Sequence, residues 1–328
     1  MSFRLSGIGT AVPKHSISQT EAAKSWASLA GVEGKKARTV QALYRRSGVK
    51  KRHSSLLEGS GNGTEPIQTL FEPARDADDR GPTTEARMKR FESDAPKVAQ
   101  RAAKAALADA GMSAGEITHF VTVSCTGFFA PGLDTTLVDQ LGLRPTVERT
   151  HVGFMGCHGA LNGLRVASSF AGADPEARVL VSSVELCTLH MSYDWDPDTL
   201  VANSLFGDGS AAVVGVGEAS SSPNGLWDLA ASGTCRLPDS AEAMSWRIGD
   251  HGFRMTLSSL VPDIIQNHLS GWLEQWLGAQ GLQLGEVATW AVHPGGPRIL
   301  TAVGGALGLA PEANIVSKQV LSEFGNMS

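Results

Sequence analysis

A cysteine, a histidine and an asparagine carry the chemistry open to this chain. Cys157 lies in HVGFMGCHGALNGLRVA, residues 151–167, between glycines and just ahead of a helix-like run carrying Leu161, Leu164 and Val166. Glycines let a substrate backbone or thioester approach closely, and a helix amino terminus stabilises a thiolate through its positive dipole end. On these residues alone a structural cysteine competes with a nucleophile, because free cysteine is among the most buried residue types. A partner base changes that balance. His293, in WAVHPGGPRIL at 290–300, is expected at the end of a buried strand, followed at once by a Pro-Gly-Gly-Pro turn. Active-site residues of α/β proteins gather at such strand ends; a satisfied histidine at a sheet edge is the plainer alternative. Asn326, in FGNMS, adds an amide donor. Brought into one cleft, the three make a nucleophile, a base and an oxyanion donor.

An internal repeat would bring them there. LADAGMSAGEITHFVTV at 107–123 matches LGAQGLQLGEVATWAVH at 277–293, with Gly111 on Gly281, Gly115 on Gly285, Glu116 on Glu286, Ile117 on Val287 and Phe120 on Trp290. A helix, a glycine stop, a short turn and a buried strand occur twice, which points to a duplicated α/β unit with pseudo-twofold symmetry. At the same offset Phe154-Met155-Gly156-Cys157 falls on Phe324-Gly325-Asn326-Met327. The second copy thus reaches its elbow where the sequence stops, and roughly 50 to 60 of its residues are expected to be missing by symmetry. The expected halves are 1–217, carrying the cysteine, and 218–328, truncated, carrying the histidine and asparagine. Around the repeat, FRLSGIGTAVP reads as a strand ended by Pro13, Thr20 to Leu29 as a helix and 54–83 as a long surface loop. A long helix is expected from Thr84 to Ala110, with HFVTVSC, RVLVSSVE and AAVVGVG as buried strands. GWLEQWLG, with Trp272 and Trp276 one turn apart, reads as a buried helix face rather than a ligand stack.

With 28 Lys and Arg against 33 Asp and Glu among 328 residues, the chain has no general attraction for nucleic acid or an anionic membrane. An anionic ligand must meet a local basic patch, and YRRSGVKKRH at 44–53 is the densest. The amino terminus has no uninterrupted apolar run, and nothing later approaches the ~18 apolar residues that span a bilayer, so a cytoplasmic protein without membrane insertion is expected. Cys125, Cys157, Cys187 and Cys235 form no CxxC pair and no finger-like spacing, which argues against a metal site and a disulfide framework. NxS/T matches at Asn62 and Asn326 carry little weight without a secretion signal.

The segments VSCTGFFAPGLD, GFMGCHGALNGLRVA, SLFGDGSAAVV, WAVHPGGPRIL and FGNMS follow one another in an order and spacing that resemble the type III polyketide synthases, the chalcone synthase-like branch of the thiolase superfamily. Within that branch SCTGF and GFMGCH look most like bacterial alkylpyrone and alkylresorcinol synthases. The resemblance implies an α/β thiolase fold, five αβαβα layers in two similar halves, and a homodimer. It implies acyl-CoA starter and malonyl-CoA as substrates and no resident cofactor or metal. Cys157 then matches the acyl-carrying nucleophile, His293 and Asn326 complete the triad, and Phe206 of LFGDG matches a gatekeeper phenylalanine. Met255 stands where plant enzymes have a second phenylalanine, Cys125 where they have a cavity threonine, and Cys187 also falls on the pocket wall. Ala130 belongs to the segment that in this family reaches across the dimer interface, and Arg46, Lys50 and Lys51 match the CoA-binding region. Glu185 and Asp208 receive no catalytic role, and His158 is expected to point away from the site. A β-ketoacyl-carrier-protein synthase of the third type has the same fold and triad, but HPGGP in place of its HQAN-like segment speaks against it. A non-catalytic acyl-binding remnant is the alternative from another class.

Overall fold

The computed structural model describes residues 3–59, 66–220, 225 and 227–328; the Asn62 match lies outside them. Strand β1 (Phe3–Ala11) leads to β2 (Ser16–Ser18), helix α1 (Gln19–Leu29) and α2 (Gly34–Arg46). The segment expected as a plain loop contains short pairs: β3 (Lys51–His53) pairs with β2, and β4 (Leu57–Glu58) with β5 (Ile67–Gln68). Next come α3 (Thr84–Ala110), β6 (His119–Ser124), α4 (Leu133–Leu141), β7 (Glu148–Gly153), α5 (Gly159–Ala173), β8 (Arg178–Leu186), α6 (Pro197–Leu205) and β9 (Asp208–Val216). Strands β10 (Trp227–Leu229), β11 (Met244–Gly249) and β12 (Gly252–Leu257) precede helices α7 (Val261–Ala279), α8 (Pro297–Ala306) and α9 (Ile315–Phe324).

One six-stranded sheet, in the order β10-β1-β9-β8-β6-β7, forms the centre. Strands β7, β6 and β8 run parallel, β9 returns antiparallel to β8, and β1 pairs antiparallel with both β9 and β10. The runs HFVTVS and RVLVSSVEL are buried on both faces because helices cover both. On one face lies α3, begun by the Thr83 hydroxyl accepting the Ala86 N–H and stopped by Gly111 in the left-handed region, where glycine carries no Cβ penalty. Its inner side is a row of fully buried alanines, among them Ala95, Ala99, Ala102 and Ala106. Opposite stand Gly7 and Gly9 of β1, where a Cβ would meet the carbonyl oxygens of Ala106 and Ala102 at 2.4 and 2.2 Å, so helix and strand lie backbone to backbone. The other face takes α5, with Gly163 set against Val123 and Val181.

The repeat is visible in the chain's local geometry. Gly111 and Gly281 both adopt positive φ, at 64° and 76°. Ser113 with Glu116, and Gln283 with Glu286, each close a capping box over a single 3-10 turn. There the likeness stops. Where β6 follows in the first copy, residues 287–294 form no strand, a correction to the expected strand ahead of His293. A strand exists only through ladder partners, and no described strand lies beside this segment. The expected five layers with two matched sheets therefore reduce, among the described residues, to a complete α/β/α half and a mainly helical half with the β11–β12 hairpin. In that second half Trp272 and Trp276 stack at 6.2 Å and pack with Leu273, Val303 and Leu307, a helix core as expected. Among the described residues, no helix is long and apolar enough to cross a membrane.

Candidate active site

Strand β7 ends at Gly153, and the chain turns through Phe154, at φ 53°, and Gly156, at φ 63°, into a single 3-10 turn that carries Cys157 to the start of α5. The elbow between strand and helix predicted for the cysteine is present, and His158 faces solvent. Burial pushes the Cys157 thiol up, while the Ser328 hydroxyl at 4.0 Å and a backbone hydrogen bond pull it down. Ser328 connects two other groups to the cysteine. Its hydroxyl lies 3.3 Å from Cys125 Sγ, and its N–H donates to Asn326 Oδ1 at 2.8 Å.

Asn326 is reached through backbone. Its N–H donates to Leu205 O at 2.8 Å and its carbonyl accepts the Gly207 N–H at 3.0 Å, a parallel bridge that sets it beside Phe206. The two segments lie so close that a Cβ on Gly207 would stand 2.2 Å from Phe324 O. The Asn326 amide also donates to Gly295 O at 3.3 Å, which ties it to the His293 turn. Burial pulls the His293 imidazole down, and its Nε2 is buried without a partner. Burial thus favours the neutral ring, with Nε2 left open toward the site. Among the described residues no hydrogen bond joins it to Cys157.

Glu185, to which the sequence reading gives no catalytic role, lies against Cys125. It is buried on β8 and accepts from the Cys125 N–H at 2.9 and 3.1 Å, from Thr126 Oγ1 at 2.6 Å and from Cys125 Sγ at 3.4 Å. Burial raises its carboxyl to about 7 against these donors. Glu185, Cys125, Ser328 and Cys157 thus form a run of polar contacts that reaches the thiol, the last of them the 4.0 Å approach of the Ser328 hydroxyl. Nothing in the local sequence marks Ser328 or Glu185 for it.

Beyond Phe206 opens a cleft of about 330 Å³. Cys187, Phe206 and Met255, three of the expected pocket residues, line it, and Trp26, Leu29 and Phe71 continue its apolar wall. Phe206 packs against Cys187, Ala202, Trp246 and Met255. Cys125 lies outside this cleft, on the Cys157 side, and Ala130 is exposed on the turn before α4. Of the expected CoA contacts, Arg46 is exposed at the end of α2, Lys50 is exposed, and Lys51 pairs with Glu323 at 3.3 Å. The next residue, Arg52, turns inward and is only 5% exposed. Its Nη1 donates to Asn203 O at 2.5 Å and Phe206 O at 2.9 Å. The period-two alternation of a strand is the one sequence signal that could have separated it from Lys51.

The sequence matches the family of chalcone and stilbene synthases twice, its N-terminal domain over residues 3–219 and its C-terminal domain over 228–328. It is 34% identical over 325 residues to the 1,3,6,8-tetrahydroxynaphthalene synthase of Streptomyces peucetius subsp. caesius, covering 99% of this chain and 82% of that protein. It is 32% identical over 326 residues to the alpha-pyrone synthesis polyketide synthase-like Pks18 of Mycobacterium tuberculosis, covering 98% of this chain and 80% of that one. Among solved structures, PKS-I of the brown alga Ectocarpus siliculosus superposes with a TM-score of 0.91 at 29% identity, covering all of this chain and 86% of the other. The C-terminal type III polyketide synthase domain of Steely1 from Dictyostelium gives 0.87 at the same 29% identity, covering 100% of this chain and 89% of that one. With its thiolase-like α/β fold, this chain belongs to the chalcone and stilbene synthase family: it is a type III polyketide synthase, an acyltransferase that condenses acyl-CoA with malonyl-CoA.

Proposed function

We propose that this synthase loads an apolar acyl starter on Cys157, extends it with malonyl-CoA and closes the product to an alkylpyrone or alkylresorcinol. The cleft supports this reading: beside Phe206 its wall is built from Cys187, Ala202, Trp246 and Met255, where an alkyl tail is favoured by its removal from water, while Arg80, Asp194, Asp198 and Arg254 also line the cleft. The Cys157 proton passes to the open nitrogen of His293, and the thiolate attacks the starter thioester, forming a new thioester as coenzyme A thiolate leaves. Malonyl-CoA then loses carbon dioxide, and the enolate oxygen is stabilised by donors on His293 and Asn326. The enolate carbon attacks the Cys157 thioester, the chain moves onto the incoming coenzyme A, and the thiolate is free again. Phe206 limits water at the reacting carbon. Arg46, Lys50 and Lys51 offer the positive charge for the CoA phosphates, although Lys51 is shared with Glu323.

The division into halves at 1–217 and 218–328 is supported by two family matches, over 3–219 and 228–328, whose boundary falls within about ten residues of it. A homodimer is supported by Phe128, Phe154 and Met155, exposed and apolar near Ala130, with the two phenylalanine rings 5.8 Å apart. We place the enzyme in the cytoplasm on the habit of its family.

Intact-protein mass spectrometry with starters from acetyl- to palmitoyl-CoA, followed by malonyl-CoA, tests the whole reading. One long-chain adduct on Cys157 and alkylated tri- or tetraketide products are expected. Adducts with short starters alone would remove the alkyl specificity, and condensation persisting in Cys157→Ala would remove the mechanism. Sedimentation showing only monomer at micromolar concentration would remove the dimer.

A further inference from the structure

The last carbonyls of a helix have no N–H waiting in a following turn, so the groups that satisfy them are worth tracing one by one. At the end of α6, Ala202 O accepts the Phe206 N–H at 3.1 Å. Asn203 O accepts from Arg52 Nη1 at 2.5 Å, and Ser204 O from Gln19 Nε2 at 2.7 Å. Leu205 O accepts the Asn326 N–H at 2.8 Å. The peptide after the helix continues the arrangement: Phe206 O accepts the same Arg52 Nη1 at 2.9 Å, and Gly207 N–H donates to Asn326 O at 3.0 Å. Asn326 therefore bonds the peptides on either side of Phe206, and the carbonyl of Phe206 itself is held by a buried guanidinium.

That guanidinium is itself braced. Arg52 Nη2 donates to Gln19 Oε1 at 2.7 Å, and Gln19 Nε2 is fixed in turn by Tyr44 O at 3.2 Å and Ser47 Oγ at 2.7 Å. Both side chains are nearly inaccessible, at 5% and 6% exposed. Three acceptors in three directions need a planar fork, which lysine lacks, and positive charge suits the carboxyl end of a helix.

We propose that Arg52, braced by Gln19, is a positioning residue of the condensing site: it sets the placement of the Phe206 side chain at the cleft and of the Asn326 amide beside the thiol. The proposal rests on the reading of Phe206 and Asn326 given above. It separates the two half-reactions, because loading of Cys157 uses the α5 elbow whereas decarboxylation uses Asn326.

The test compares full-length wild type, Arg52→Lys, Gln19→Ala and Asn326→Ala by three readouts: the rate of starter loading on Cys157, the kcat and KM of malonyl-CoA decarboxylation, and the product chain-length distribution. Arg52→Lys is expected to lower kcat for decarboxylation by at least about tenfold, since misplacing a group by 1 Å can cost that much or more. Its malonyl-CoA KM and loading rate stay near wild type, and its products spread over more chain lengths. Gln19→Ala leaves the fork present but unbraced and is expected to show the same split at roughly threefold; it decides the matter if Arg52→Lys does not fold. Equal losses in loading and decarboxylation, or none in either, overturn the proposal. If Asn326→Ala itself decarboxylates normally, the reading of the site fails and the proposal with it. If Asn326→Ala is inactive while Arg52→Lys is normal, the proposal fails alone.

Discussion

In the first copy of the repeat the chain leaves the Ser113–Glu116 capping box and enters β6, hydrogen-bonded on one side by β7 and on the other by β8. In the second it leaves the Gln283–Glu286 box and runs to His293 with no ladder on either side among the described residues. The two halves consequently hold their functional groups by different means. Cys157 sits between a sheet strand and a helix, in a turn anchored to β6 by the Phe154 N–H on Ser124 O at 3.3 Å and closed by the Gly159 N–H on Gly156 O. Asn326 is held by two backbone hydrogen bonds to the end of α6, and His293 by a turn around Gly295. Small displacements in the second half should therefore reach the chemistry directly, whereas the first half should absorb them as lost stability.

The largest effect that tests this contrast is expected from Gly207→Ala, whose Cβ would lie 2.2 Å from Phe324 O. The variant should lose about 3 kcal/mol of stability by overpacking and nearly all decarboxylation, measured by thermal unfolding and carbon dioxide release. Gly163→Ala, whose Cβ would press on Val123 and Val181 under the Cys157 helix, should cost stability while retaining decarboxylation per folded molecule. Equal activity losses in the two would erase the distinction.

Next in size is a pH effect in the first half. His190 is buried, with Nε2 on Thr126 O at 2.7 Å and Nδ1 accepting the Phe253 N–H at 3.0 Å. Burial lowers it from 6.5 to about 3, so it stays neutral in the folded chain while the unfolded chain binds a proton below about 6.5. Its contribution is complete above that pH and is lost as pH falls toward 3, by ~1.4 kcal/mol per pH unit. Glu185, raised from 4.5 to about 7, acts in the opposite sense, its contribution being present below pH 4.5 and lost as pH rises through 7. Urea midpoints of wild type and His190→Gln between pH 7 and 5 isolate the histidine: in the wild type the two groups offset each other, so the variant should gain stability toward acid relative to wild type, and parallel curves would contradict the buried neutral state of His190.

A smaller change should follow at the cleft. Met255→Phe replaces a flexible side chain packed beside Phe206 by a rigid ring and should shift preference toward shorter starters by about tenfold in relative kcat/KM. Unaltered selectivity would place the alkyl tail elsewhere. The smallest effect is expected for Lys51→Ala, whose pair with Glu323 is about half exposed on both sides. Stability should move by less than ~0.5 kcal/mol, and KM for acyl-CoA should rise by about two- to threefold without a change in kcat. A large fall in kcat would mean that Lys51 acts inside the site.

The sequence made some of this legible and hid the rest for physical reasons. The bounds of α3, 84–110, follow from Thr83 and Gly111, and the buried strands from their β-branched runs, because these signals are local. The repeat could be read through matching glycines and glutamates that make the same capping boxes. The strand before His293 could not be judged, since VATWAVH has the composition of ITHFVTV and only partners elsewhere decide whether a ladder forms. Cys157 was marked by its glycine elbow. Arg52 was hidden inside a basic run, and Glu185 and Ser328 inside ordinary apolar and polar strings, because their roles come from long-range approach: Arg52 meets residues 203–206, and Glu185 meets residues 124–126. Lys51 and Arg52 differ by a half-turn of strand and by everything they touch.

The alanine and glycine seam between α3 and β1 has a consequence for what the enzyme makes. A helix laid directly on strand backbone has no long side chains through which to slide or tilt, and its far end carries Arg87, whose Nη1 grips the carbonyls of Leu189 and Met191 at 2.6 and 2.8 Å. Met191 lines the cleft together with Cys187, and Leu189 lies between them in the chain, buried in the core. The wall is thus bolted to the stiffest part of the molecule, and the space for a growing chain behaves as a fixed ruler, so product length should respond to the size of a wall side chain and hardly at all to the concentration of the extender.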